Sequence, residues 1–370
     1  MRGKFVLIAL VSLLIVVLLF WFFVFRPRPT GKEFRAAFER ARSGDCRAAV
    51  PLLEKIVAAP PDEATGREAA LLLARCRMRL RDYPAAAALW EELGSSDDPA
   101  LREEAEYNRV LIAMEKGGRS RERLQSYLER YPGSPRSPEA RLLLARARKE
   151  AEDVAAAAAL YREVLESAGP AETIARARAE LGELNLSLFL SPAIGEGDRS
   201  YTVRSGDSLE AIARAHGTTA ALLQEMNKIS GDIIHPGQVL KVPDRRFEVA
   251  VSKSRNTLTL LYGGAFFKEY SVGTGRNNCS PVGEFTIVTR LIDPPWIHGG
   301  ETIPPFDPRN ILGTRWMGFD DPYAAYGIHG TTMPETVGSQ SSDGCVRMVN
   351  ADVDELFIFL PRGTRVTIAD

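Results

Sequence analysis

Hydrophobic and polar positions divide the 370-residue chain into four regimes. Residues 5–25 read FVLIALVSLLIVVLLFWFFVF, without charge, proline or glycine, which is long enough to cross a bilayer as a helix. From 32 to 188, apolar residues recur at helical spacing in an Ala-, Leu-, Arg- and Glu-rich segment broken at Gly or Pro. Residues 201–243 begin with an alternating strand (Tyr201, Val203) and a Gly-Asp turn. Ser208 then caps a helix whose Leu209, Ile212 and Ala213 share a face; a second helix over 220–227 and a closing strand over 239–242 follow. From 247 the period becomes two: FEVAVSKSRNTLTLLYGGAFFKEYSVGTG alternates around a Gly263-Gly264 hairpin turn and GEFTIVTR adds a strand. Pro- and Gly-rich loops lead on to the stretch around Cys345. The pattern predicts a multidomain chain: an N-terminal transmembrane helix, an all-α helical-repeat domain, a small α+β domain, and a mostly β sandwich or barrel.

The helical region repeats itself. GDCRAAVPLLEKI from Gly44, RDYPAAAALWEEL from Arg81 and EDVAAAAALYREVL from Glu152 set Asp45, Asp82 and Asp153 at separations of 37 and 71 residues, with a weaker copy from Gly117. A period near 35 residues built of paired helices means stacked hairpins, none able to bury its apolar face alone. The segment resembles tetratricopeptide-like repeats, lacking most of the consensus aromatics. A concave docking surface for a protein partner and a plain spacer fit it equally.

Bulk composition adds exclusions. A net charge of −1 with 45% hydrophobic and 26% charged residues describes soluble globular domains and offers no basic excess for nucleic acid. The apolar run ends in Trp21, Phe22, Phe23 and Phe25, then Arg26, without a small-residue cleavage site, which reads as an uncleaved anchor. Basic residues flank both ends, so charge alone leaves its orientation open. Cys46 and Cys76 fall at the start of one helix and near the end of the next. A disulfide between them would need an oxidising compartment; two small core residues in packed helices is the preferred reading.

Residues 200–243 resemble a LysM domain in the Tyr201-Thr202-Val203 strand, Gly206-Asp207-Ser208-Leu209, Asn227 and the Pro236-Gly237-Gln238 turn. That resemblance implies binding of N-acetylglucosamine-containing glycans such as peptidoglycan. The groove would lie beside Gly206, Asp207, Ser208 and Leu209, with apolar contact from Ile234. His216 and His235 have no partner at ligand spacing and read as surface residues, so no metal is expected.

Cys345 lies in SDGCVRM, sixteen residues after His329 in YGIHGTT. A thiol becomes a nucleophile when a neighbour takes its proton, usually histidine, and a Gly- and Ser-rich loop between the two could bring them together. The Gly344 and Cys345 amides would suit an oxyanion, and Arg347 a substrate carboxylate. On spacing alone a buried structural cysteine is the better reading. The neighbours change that: IHGT, S-x-G-C-V-R-M, NADVDELF, TGRNNCSPVGEFTI and PPW…PRNILGTRW together resemble the L,D-transpeptidase family with its YkuD catalytic domain, over residues 247–369. The resemblance implies a β-sandwich-like domain acting on peptidoglycan stem peptides without a cofactor. Cys345 would be the nucleophile, His329 the base oriented by the Gly330 carbonyl, Gly344 and Cys345 the oxyanion donors, and Ser342 and Arg347 the substrate site.

The implied reaction releases terminal D-alanine, leaves a thioester on Cys345 and passes the acyl group to an amine. Water as acceptor would make the enzyme an L,D-carboxypeptidase, and an inactive wall-binding scaffold is the reading from another class. Asp343 stands where the family usually has a non-acidic residue; it would face solvent or pair with an arginine such as Arg347. Cys279 is expected in a loop near the site, and His298 either lines the cleft or sits in solvent. Since peptidoglycan lies outside the cytoplasmic membrane, the organisation expected is residues 1–28 as cytoplasmic stub and single-pass inner-membrane anchor of a bacterial cell, 32–188 as repeats and 189–199 as linker. The LysM and catalytic units would follow on the outer side.

Overall fold

A computed structural model describes residues 31–115, 120–194 and 198–370. The apolar run at 5–25 lies outside them, and among the described residues no helix is long and apolar enough to cross a membrane. The chain separates into two compact units, residues 1–151 and 152–370.

In the first unit, helices Gly31–Ser43, Cys46–Ala58, Glu63–Arg79, Tyr83–Leu93, Pro99–Glu115, Ser120–Arg130 and Ser137–Glu150 stack as antiparallel neighbours. The recurring aspartate has a physical reason. Asp45 and Asp82 each precede a helix and accept the N–H of the residue three on, Ala48 and Ala85, which satisfies a donor that a helix start leaves open. Asp153 does the same for Ala156 at the helix Val154–Glu166 of the second unit. Cys46 and Cys76 form a disulfide, with Cα atoms 5.0 Å apart, and both are buried. This corrects the preference for two unlinked core residues: the hairpin brings the start of one helix beside the end of the next.

The second unit holds β1 (Arg199–Thr202), β2 (Val239–Val242), β3 (Phe247–Ser252), β4 (Thr257–Tyr262), β5 (Ala265–Ser271), β6 (Thr274–Gly275) and β7 (Gly283–Ile292). After these come β8 (Trp296–His298), β9 (Glu301–Ile303), β10 (Arg315–Phe319), β11 (Gly327–His329), β12 (Gln340–Ser342), β13 (Val346–Arg347) and β14 (Arg365–Ala369). Eight of them make one mixed sheet in the order β13-β11-β10-β7-β14-β3-β4-β5, while β12-β6 and β8-β9 form small ribbons. Alternation puts Val249, Val251, Leu258, Leu260, Phe285 and Ile287 on one face, where helix Asn350–Phe359 closes the core with Val353, Leu356 and Phe359.

Two elements from outside residues 247–369 join that core. The helix Ala171–Phe189 lies on edge strand β5: Asn185 Nδ2 donates to the Phe267 carbonyl at 2.8 Å, Arg178 pairs with Glu269 at 2.8 Å, and Phe189 enters the core. An exposed sheet edge is thereby covered. Phe189, expected as the first linker residue, is the last residue of that helix. The LysM-like unit pairs β1 with β2 and packs helices Leu209–His216 and Ala220–Asn227 on them. Its Leu222 and Met226 belong to the same core as the eight-stranded sheet, and Thr219 Oγ1 donates to the Ile358 carbonyl.

Candidate active site

The site is built by a short parallel pairing. Strands β11 and β13 align Ile328 with Val346 and His329 with Arg347. Ile328 and Val346 are fully buried in the core, so alternation turns His329 and Arg347 to the other face. Cys345 precedes Val346 on that side: its sulfur is faced by the Gly327 N–H and lies 3.9 Å from the Ala325 carbonyl.

His329 is 2% exposed. Its Nδ1 lies 2.6 Å from the Gly330 carbonyl, so the neutral ring with Nδ1–H donating leaves Nε2 free to accept a proton. Burial, helped by nearby Arg347, pulls the imidazole down to about 4 against the pull of the Gly330 and Leu312 carbonyls. Desolvation pushes the Cys345 thiol up to about 11, more than the Gly327 N–H and Arg347 lower it. The resting pair is neutral imidazole and neutral thiol. No hydrogen bond joins Cys345 to His329 among the described residues; such contacts commonly tighten only when substrate binds.

Arg347 is 5% exposed and held by backbone exchange with Gly273 at 2.7 and 2.8 Å. Its Nη1 donates to Thr336 Oγ1 at 3.1 Å, while its Nε is buried without a partner among the described residues. A buried guanidinium with an unsatisfied N–H is a ready binder of a carboxylate. Ser342 accepts the Gly344 N–H at 3.2 Å and donates to the Cys345 carbonyl at 2.7 Å, shaping the turn into the thiol. The expectation that the Gly344 amide is free for an oxyanion is thus corrected; among the described residues the Cys345 N–H has no such partner. Gly344 serves the turn sterically: at φ +121 a Cβ would sit 2.5 Å from the Tyr326 ring.

Three residues passed over in the sequence complete the surroundings. Trp316 pairs with His329 across β10 and β11 and stacks on its ring at 5.7 Å. Asn350 Oδ1 accepts the N–H groups of Thr331 at 3.0 Å and Thr314 at 3.4 Å, pinning the loop after His329, and a Cβ on Gly330 would lie 2.3 Å from that oxygen. Arg276 pairs with Asp343 at 2.5 Å, so the partner of Asp343 is Arg276, not Arg347. Cys279 is a free, exposed thiol in the turn after Arg276. His298 stacks on Trp296 at 4.4 Å in the exposed β8–β9 ribbon.

In the LysM-like unit, Asp207 Oδ2 accepts the Arg204 N–H at 2.7 Å and the Tyr201 hydroxyl at 2.8 Å, and Ser208 caps its helix. Leu209 is fully buried. Its side chain is core, on the face it shares with Ile212 and Ala213. Gly206 is exposed at φ +88, and Ile233, 75% exposed, presents more apolar surface than half-buried Ile234.

A thiol, a buried imidazole and a guanidinium gather at one end of the mixed sheet, groups of the kind that acyl transfer through a thiol requires. Family models match residues 246–368 as an L,D-transpeptidase catalytic domain, 201–243 as a LysM domain, and 34–98 with 109–172 as tetratricopeptide repeat. A Bacillus licheniformis protein provisionally named L,D-transpeptidase YkuD is 37% identical over 176 residues, 45% of this chain and 97% of that protein. Its Bacillus subtilis namesake is 36% identical over 177 residues, 46% and 98% of the two chains. The chain belongs to the L,D-transpeptidase family. The solved catalytic domain of an E. faecium L,D-transpeptidase matches at 21% identity over 34% of this chain and 98% of that one; its TM-score of 0.28 is too low to bear on the fold.

Proposed function

We propose that the protein is a peptidoglycan L,D-transpeptidase anchored to the bacterial cytoplasmic membrane by its N-terminal apolar run, with residues from Lys32 onward on the outer side. The observation that carries the chemistry is the β11–β13 pairing, which seats His329, Cys345 and Arg347 together with Nδ1 of His329 already committed to Gly330. In the first step Sγ of Cys345 attacks the carbonyl carbon of the third stem residue as Nε2 of His329 takes the thiol proton. The bond to D-alanine breaks, the imidazole returns the proton to the leaving amine, and a thioester remains. The Cys345 N–H stabilises the oxyanion. An amine then attacks the thioester and forms the cross-link. Arg347 binds a stem carboxylate, and Gly206, Asp207, Ser208 and Ile234 surround the glycan groove. The Cys46–Cys76 disulfide supports the outward orientation, because such bonds persist in oxidising compartments.

The test is incubation with a carbapenem and, separately, with disaccharide tetrapeptide. A single mass adduct mapping to the peptide that contains Cys345, and cross-linked dimers from the tetrapeptide, are expected. Absence of both adduct and product would overturn the reading.

The neutral resting pair sets a pH profile. His329 acts as base only when unprotonated, and with its pKa pulled down to about 4 that form dominates throughout the neutral range. The thiol, pushed up to about 11, stays protonated there. The second-order rate constant of acylation is therefore expected to be nearly flat from about pH 6 to about pH 9 and to fall only as pH drops through the depressed imidazole pKa. A half-point near the ordinary histidine value of about 6.5 would contradict the buried neutral base.

A further inference from the structure

Beside the thiol, one wall of the site is a strained and firmly anchored turn. Asn277 and Asn278 are consecutive non-glycine residues at φ 52 and 62, a costly arrangement that persists only where neighbours impose it. They do so here. Lys253, 3% exposed, donates from Nζ to the carbonyls of Asn278 and Ser280 at 3.2 Å each and pairs with Asp370 at 3.0 Å. Asn278 Nδ2 also reaches Asp370, and Ser280 Oγ accepts the Gly275 N–H at 2.8 Å.

This anchoring presents Arg276. Gly275 is the strand partner of Ser342 in the β6–β12 ribbon, so Arg276 and Asp343, the residue just after each strand, meet at 2.5 Å. Asp343 is two residues from Cys345, and the charges of Arg276 and Asp343 are both felt at Arg347. The pair is open to solvent, with 59% and 81% of the two side chains exposed, and an exposed pair adds little to stability. Its position calls for another reason.

The proposed reaction supplies one. D-alanine, the leaving group, carries a carboxylate on the carbon that bears the departing amine. By reversibility, the incoming amine must occupy the place that D-alanine vacates. Resting on the transpeptidase reading above, we propose that Arg276 is a specificity residue for the amine side of the scissile bond. It binds the carboxylate of the leaving residue and then that of an acceptor whose attacking amine stands beside a carboxylate. Asp343 is its internal placeholder while the site is empty. A guanidinium is suited to this exchange because it grips either carboxylate in the same planar geometry. In the second step the acceptor, having lost its extra proton to water, attacks the thioester carbonyl. The C–N bond forms as the C–S bond breaks, and the amine proton passes through His329 to the sulfur.

The test uses the full-length protein with tetrapeptide donor and two acceptors, isotopically labelled D-alanine and D-alaninamide, which lacks the carboxylate. Arg276→Gln is expected to lower kcat/KM for D-alanine about five- to tenfold, an exposed charged contact being worth less than a buried one. It should change kcat/KM for D-alaninamide, which reads only the deacylation step, and carbapenem acylation less than about twofold, while kcat/KM for the tetrapeptide donor falls as that for D-alanine does. Asp343→Asn is expected to keep or lower the KM for D-alanine, since the guanidinium no longer has an internal competitor. Equal losses with both acceptors in Arg276→Gln, or the same loss in Asp343→Asn, would overturn the assignment and make the pair a structural clasp. Absence of any carbapenem adduct in the unaltered protein would instead overturn the transpeptidase reading and this inference with it.

Discussion

Cys345→Ala is expected to form no carbapenem adduct and no cross-linked product, and His329→Gln to slow acylation by about 10²–10⁴-fold, the usual contribution of a positioned base. The dependence on His329 is steep because the thiol, held near 11 by desolvation, has no standing thiolate to offer. On the proposed mechanism deprotonation accompanies attack, with Nε2 of His329, left free by the Nδ1 contact to Gly330, as the acceptor. Residues that act as one unit lose activity non-additively; the double variant should be no worse than Cys345→Ala alone. Stopped-flow acylation and intact-protein mass spectrometry read both effects, with thermal unfolding checking that the buried His329 position still folds. If His329→Gln kept a tenth or more of the rate, another group would have to be the base.

Phe189→Ala is expected to destabilise the second unit by about 2–4 kcal/mol, somewhat below the ~3–5 kcal/mol of a fully buried aromatic because Phe189 is only partly buried against the core. Its ring lies 5.3, 5.1, 5.4 and 6.2 Å from those of Phe247, Tyr262, Phe267 and Phe359, three of them edge-on, so it loses aromatic contacts as well as buried area. Denaturant unfolding followed by circular dichroism should show the transition of residues 152–370 move to lower denaturant while that of the first unit stays. Leu188→Ala, at a neighbour 44% exposed, should cost less than about 0.5 kcal/mol, as surface changes do. Equal shifts for the two variants would mean that Phe189 holds nothing together.

Local chemistry was legible in the sequence wherever the cause was local. Asp45, Asp82 and Asp153 stood out by spacing and prove to be helix caps. Gly263 and Gly264 mark a hairpin between paired Tyr262 and Ala265, and Ser208 caps the helix it precedes. His329 and Gly330 could be joined because their contact spans one peptide unit. What escaped is what depends on distant strands. Asn350 organises the loop after His329 from nineteen residues away, and Arg276 meets Asp343 across 67 residues because two short strands run parallel. Period and composition carry no sign of such pairings.

The shared core of the LysM-like unit and the catalytic sheet changes what glycan binding does for the nucleophile. A module on a flexible leash raises concentration as an average over a cloud of positions, but Leu222 and Met226 leave no leash. On the proposed function, a glycan strand held in the groove would sit at one fixed offset and angle from Cys345, so a stem peptide would either project to the thiol or miss it altogether. In that role the unit would act as a caliper, reading position along the glycan before any bond is broken.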